Sequence, residues 1–122
     1  MKNEADVFGK LVMEKLRDVS IELSEGIVES RYESPGHKEI QNEIQSLSTK
    51  QKEIFLKCVI YCVDGGINDF VFNLDKELRQ SGGIDMLIDS KNLKDLSPSL
   101  SQELYGEGGW QKRHSKYGSQ DT

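Results

Sequence analysis

With 122 residues, 35% of them hydrophobic and 30% charged, the chain has room for one ordinary domain and enough apolar residues to build a core without disulfides or metals. A net charge of −5 speaks against direct nucleic-acid binding, which needs a basic footprint. No apolar run approaches the ~20 residues that span a bilayer, and the opening Met1-Lys2-Asn3-Glu4-Ala5-Asp6 is acidic where a signal peptide is basic, so no membrane contact and a cytoplasmic location are expected.

In chain order, Glu4 to Ser30 predicts one long amphipathic helix. Phe8, Val12, Leu16, Val19, Leu23 and Ile27 recur at steps of three and four and share a face, while acids and bases fill the other side. Core packing is the plain reading of that stripe; a homodimer seam is the alternative. Ser34-Pro35-Gly36 breaks the pattern, and a short helix follows with Ile40, Ile44 and Leu47 at helical spacing. Ser48 and Gln51 then stand at capping-box spacing before an apolar run.

That run, Lys50 to about Gln80, predicts a central helix. Its apolar residues cover more than one face, so contacts on two or more sides are expected, with Cys58 and Cys62 as reduced core thiols. Gly65-Gly66 sits mid-run, where it either bends the helix or admits another helix closely. Ser81-Gly82-Gly83 supplies a glycine stop. Beyond it, Ile84, Met86 and Ile88 alternate as a short strand, Asp89 to Asn92 is turn-rich, and Leu93 to Leu96 reads as a returning strand. A last short helix is expected to turn Leu100 and Leu104 inward, followed by a loop at Gly106 to Trp110 and a loose polar tail at about 115–122. The fold class is mainly α: long N-terminal and central helices packed together, with a short helix and a small C-terminal β-hairpin, in a single domain over 1–122.

The charge is uneven. Residues 64–107 carry nine acids against Lys76, Arg79, Lys91 and Lys94, a net −5, whereas residues 108–122 are net +2. Asp64 and Asn68 share a face of the apolar helix, with Asp69 adjacent, and a carboxylate there needs a partner. Arg31, Arg79 and Arg113 are candidates for pairing; a contact role or a hydrolytic pair are the alternatives. Paired-carboxylate catalysis requires one shared cleft, which spacing alone does not provide. No serine stands in a nucleophile elbow, no cysteine in a reactive motif, and no glycine loop carries a phosphate-binding lysine. His37 and His114 are too far along the chain to complete a metal site with the cysteines. No enzyme, cofactor or metal is therefore expected. Trp110, after two glycines, is either a plug for the core or an interface anchor.

The stretch Val63-Asp64-Gly65-Gly66-Ile67-Asn68-Asp69-Phe70, with Leu93 to Ser97 and Leu104-Tyr105-Gly106-Glu107-Gly108-Gly109-Trp110, resembles a small uncharacterised bacterial family. That family carries an aspartate-rich helix and a late Gly-Glu-x-Gly-Trp loop, and the resemblance spans the last two-thirds of the chain. In size and acidity the chain is also similar in type to bacterial toxin-immunity proteins, a likeness that carries over no functional residue. Together with the charge, it implies a protein that binds and occludes a basic toxin domain. The candidate contact residues are Asp75, Glu77, Asp85, Asp89, Asp95 and Glu107, with Tyr105 or Trp110 as the apolar anchor. The alternative is a homodimeric helical adaptor using the Phe8-to-Ile27 stripe.

Overall fold

In the computed structural model, which describes residues 4–80 and 83–118, the chain is mainly helical, with a long central helix and one small antiparallel hairpin. The N-terminal segment is a continuous helical run with a change of winding inside it: α1 (Ala5–Val12), a π-helical turn (Met13–Arg17) and α2 (Asp18–Val28). A π turn bonds over five residues instead of four and so inserts one residue into the register. Ala5, Phe8 and Val12 face inward before it; Arg17, Ile21, Ser24 and Ile27 do so after it. Leu16, Val19 and Leu23, expected on the inner stripe, are rotated outward and exposed. The stripe is thus split between core and surface. The run stops with Ser30 in the left-handed region at φ 56°, where Arg31 N–H donates to the Gly26 carbonyl at 2.9 Å.

α3 (Pro35–Ile44) starts behind the expected proline break. Its buried Gln41 accepts from Tyr32 N–H at 2.9 Å and donates to the Tyr32 carbonyl at 3.0 Å. This clamp lays the Tyr32 ring over Gly26, where any Cβ would fall within about 2.5 Å of the ring.

α4 (Thr49–Arg79) opens with the capping box read from the sequence: Gln51 N–H donates to Ser48 Oγ at 3.1 Å, and Ser48 N–H to Gln51 Oε1 at 2.8 Å. It runs 31 residues without a break at Gly65-Gly66, about 45 Å at 1.5 Å per residue. Only Ile67, Val71, Leu74 and Leu78, all in its second half, are buried. Phe55, Leu56, Val59, Ile60 and Val63 in the first half are partly buried, and Cys58 and Cys62 are exposed thiols rather than core ones. The expected glycine stop falls partly on residues 81 and 82, outside the described residues; the helix itself ends at Arg79.

The hairpin is shorter than the sequence suggested. β1 (Leu87–Ile88) pairs antiparallel with β2 (Lys91–Asn92), Leu87 opposite Asn92 and Ile88 opposite Lys91. Asp89 and Ser90 both have positive φ, as a two-residue primed turn requires. Leu93–Leu96, expected as a strand, is instead the single helical turn α5, with Leu93 fully buried. A 3-10 turn (Ser101–Glu103) then brings Leu100 and Leu104 inward, and α6 (Trp110–His114) closes the fold.

The core joins Phe8, Val12 and Met13 to the second half of α4 and to Leu93, Leu100, Leu104 and Trp110. Trp110 lies against Gly9, where a Cβ would come within 2.4 Å of the indole, and meets Phe8 edge-on at 5.8 Å between centroids. Ser115 to Gly118, expected in the loose tail, are tied down through a buried arginine; 119–122 lie outside the described residues.

Candidate protein-binding surface

Two sets of acids bear on the contact surface expected from the sequence. The first points inward. Arg17, placed by the π turn and fully buried, donates from Nε to Asp64 Oδ1 at 2.7 Å and from Nη2 to Oδ2 at 3.3 Å. Its Nη1 donates to Ser115 Oγ and to the Gly118 carbonyl, both at 2.7 Å. Ser115 in turn donates to Asp18 at 2.5 Å, whose other oxygen accepts from Lys116 N–H at 3.0 Å. Asp64 is therefore paired, by an arginine the sequence reading had left on the solvent side and not by Arg31, Arg79 or Arg113.

Asp6 is held in the same manner at the start of the N-terminal helical run. Arg113 grips it bidentately at 2.8 and 2.7 Å, and Trp110 Nε1–H donates to it at 3.2 Å. The Arg113 hydrogen bonds, more than its charge or the indole donor, hold the Asp6 carboxyl below its ordinary value, against the opposing effect of burial. A carboxylate with a lowered folded-state pKa stabilises the fold above its unfolded pKa, near 3.8, and loses that contribution as pH falls through the folded value. Unfolding by urea at pH 7 and pH 3 should show the difference: Asp6→Asn is expected to be less stable at pH 7 and to decline less between the two.

Asp75, proposed from sequence as a contact, belongs to this inward group. It pairs with Arg79 at 2.9 Å and accepts from Leu100 N–H at 3.4 Å, while Arg79 donates to the carbonyls of Lys94 at 3.0 Å and Ser97 at 2.6 Å. Trp110 is likewise no surface anchor, because its ring is fully buried.

The second group points outward. Among the described residues, Asp69, Glu77, Asp85, Asp89 and Asp95 are exposed and form no ion pair. Glu77 lies near the end of α4, Asp85 before β1, Asp89 in the hairpin turn and Asp95 on α5, which α4 holds through Arg79. These four share the end of the molecule where α4 stops. Glu107 is exposed but bound to Lys112 at 2.6 Å, which lowers its carboxyl. Tyr105 stands elsewhere, half-exposed; burial pushes its phenol up, and the charges of Asp64 and Asp69 push it further, against Arg17. Asp69, for which the sequence leaves pairing, a contact role or a hydrolytic role open, is exposed: it lies one position round the helix from Asn68, away from the buried face.

An open groove of about 590 Å³ separates α1 from the hairpin, with Val7, Leu11 and Leu87 on its apolar walls and Lys10, Glu14 and Lys15 at its rim. No helix among the described residues is long and apolar enough to cross a membrane. No protein-family model matches the chain, and no curated protein or solved structure is significantly similar to it.

Proposed function

We propose that the chain is a non-enzymatic binding protein of the immunity or antitoxin type, which acts in the cytoplasm by occluding a basic toxin domain. The observation that supports this reading is the sorting of its acids. Asp6, Asp64 and Asp75 are held by arginines, while Glu77, Asp85, Asp89 and Asp95, on the last turn of α4, the hairpin and α5, are exposed and form no ion pair among the described residues. Unpaired surface charge of one sign contributes little to folding and repels itself, but it accelerates encounter with an oppositely charged partner and fixes register. Tyr105, the exposed aromatic of the late loop, would supply a separate apolar contact.

Native mass spectrometry of tagged protein captured from its host, in low and moderate salt, tests the reading. The expected result is a stoichiometric basic partner that is toxic when expressed alone and silenced by this chain. Asp85→Lys with Asp89→Lys should slow association roughly tenfold or more at low salt and flatten its salt dependence, since charge changes at a rim act on the on-rate. If no basic partner is retained, or if the double reversal leaves association unchanged, the acidic end is not the binding surface.

A further inference from the structure

The outer face of α4 carries exposed apolar side chains between Ile54 and Phe72. Ile54, Cys58, Tyr61, Gly65, Asn68 and Phe72 follow one another at steps of 4, 3, 4, 3 and 4, the spacing of a two-helix seam. They lie away from Ile67, Val71, Leu74 and Leu78, which face the protein's own core. Tyr61 is 78% exposed, Ile54 55% and Phe72 52%. A Cβ added at Gly65 or Gly66 would meet nothing within 4 Å. Glycine in an open helix interior lowers stability relative to alanine, so two of them in succession at the midpoint of a 31-residue helix fit a place where another backbone comes close.

We propose that α4 pairs with α4 of a second copy of this chain, antiparallel, about a two-fold axis at Gly65. Charge selects both the occupant and the direction. Residues 49–63 carry Lys50, Lys52 and Lys57 against Glu53, a net +2; in residues 64–79, with Asp64 held by Arg17 and Asp75 by Arg79, Asp69 and Glu77 stand against Lys76, a net −1. Antiparallel pairing lays the basic half of each helix on the acidic half of the other and opposes the two helix dipoles. Parallel pairing would instead set Asp69 beside Asp69 and Lys76 beside Lys76, a like-charge arrangement that disfavours association.

With the axis at Gly65, Cys58 meets Phe72 of the other copy, a sulfur–aromatic contact. Tyr61 meets Asp69, where the phenol can donate to a carboxylate that forms no ion pair among the described residues. Aromatic side chains bury about 150–250 Å² each, so the exposed fractions of Tyr61 and Phe72 alone supply roughly 400–600 Å² over two copies. A specific interface needs about 1,200 Å², and Ile54, the cysteines and the stems of Lys57 and Lys76 extend the contact toward it. This surface is distinct from the acidic end of the molecule and leaves that end free.

Sedimentation equilibrium of the full chain from about 1 to about 100 μM is expected to show a monomer–dimer equilibrium. Gly65→Leu and, separately, Ile54→Lys with Phe72→Lys should weaken dimerisation at least about tenfold, with circular dichroism confirming unchanged helix content. For direction, Tyr61→Cys with Asp69→Cys in a Cys58→Ser, Cys62→Ser background should form a disulfide-linked dimer on mild oxidation. The unaltered chain should not, because its two Cys58 residues would lie about 21 Å apart along the axis. A monomer at every concentration overturns the proposal. So does a dimer indifferent to the α4 changes, or a Cys58 disulfide dimer of the unaltered chain, which requires parallel helices.

Discussion

Replacing Arg17 with alanine is expected to lower stability by about 3–5 kcal/mol, the usual consequence of breaking a buried ion pair from one side. The substitution leaves Asp64 without its two guanidinium hydrogen bonds, the Gly118 carbonyl without its guanidinium donor and Ser115 Oγ with only the Tyr117 N–H, all beside a cavity the size of the lost side chain. Asp64 retains some contact with water, its side chain being 17% exposed, which places the effect toward the lower end of that range. The paired substitution Arg17→Met with Asp64→Leu separates charge from packing. It removes both ions together and is expected to recover much of the loss, since an apolar pair of similar volume often matches a buried ion pair. Urea unfolding of the three variants measures the difference, and a double variant no better than Arg17→Ala would mean that the contacts with Ser115 and Gly118 dominate.

Trp110→Ala carries the other large effect, again about 3–5 kcal/mol. The indole fills the gap that Gly9 leaves in α1, stacks edge-on with Phe8 and donates to Asp6, so its removal opens a cavity and takes a hydrogen bond from a buried carboxylate. Against a total stability of about 5–15 kcal/mol for a domain of ordinary size, that loss leaves little margin. Trp110→Phe keeps most of the volume and loses the donor, while Arg113 continues to hold Asp6; about 1–2 kcal/mol is expected. Gly9→Ala attacks the same contact from the helix side. Although alanine is the better helix former, its methyl would collide with the indole, so thermal denaturation should show a lowered midpoint rather than a raised one.

The three helical segments before residue 80, the hairpin turn and the capping box were legible because they depend on local spacing: Ser48 and Gln51 form their reciprocal bonds three residues apart whatever the rest of the chain does. The π turn was not legible, since nothing in Met13–Arg17 distinguishes it from α-helix. A reading at a uniform 3.6 residues per turn therefore put Leu16 inside and Arg17 outside. The partner of Asp64 was missed for the same reason. The exposure of α4 was misjudged on different grounds. An apolar outer face and an apolar inner face look alike in one dimension, and only the arrangement of the other helices tells which of them is covered. On the acidic surface, the sign of the charge could be read along the chain. Which acids remained unpaired could not, because Asp75 is neutralised by a tertiary contact network built from Arg79 and Leu100.

The tie between Arg17, Asp18 and Ser115 and the tie between Asp6, Trp110 and Arg113 join residues 97 to 107 positions apart. Neither the start of the N-terminal helical run nor its π turn can reach its final environment until nearly the whole chain has been made. Closing loops of that length is slow relative to forming α3 or the capped start of α4, which require only neighbours. The N-terminal helix should accordingly be among the last elements to consolidate during refolding. In native-state hydrogen exchange its amides should open together with those of α6, as one cooperative unit drawn from opposite ends of the chain.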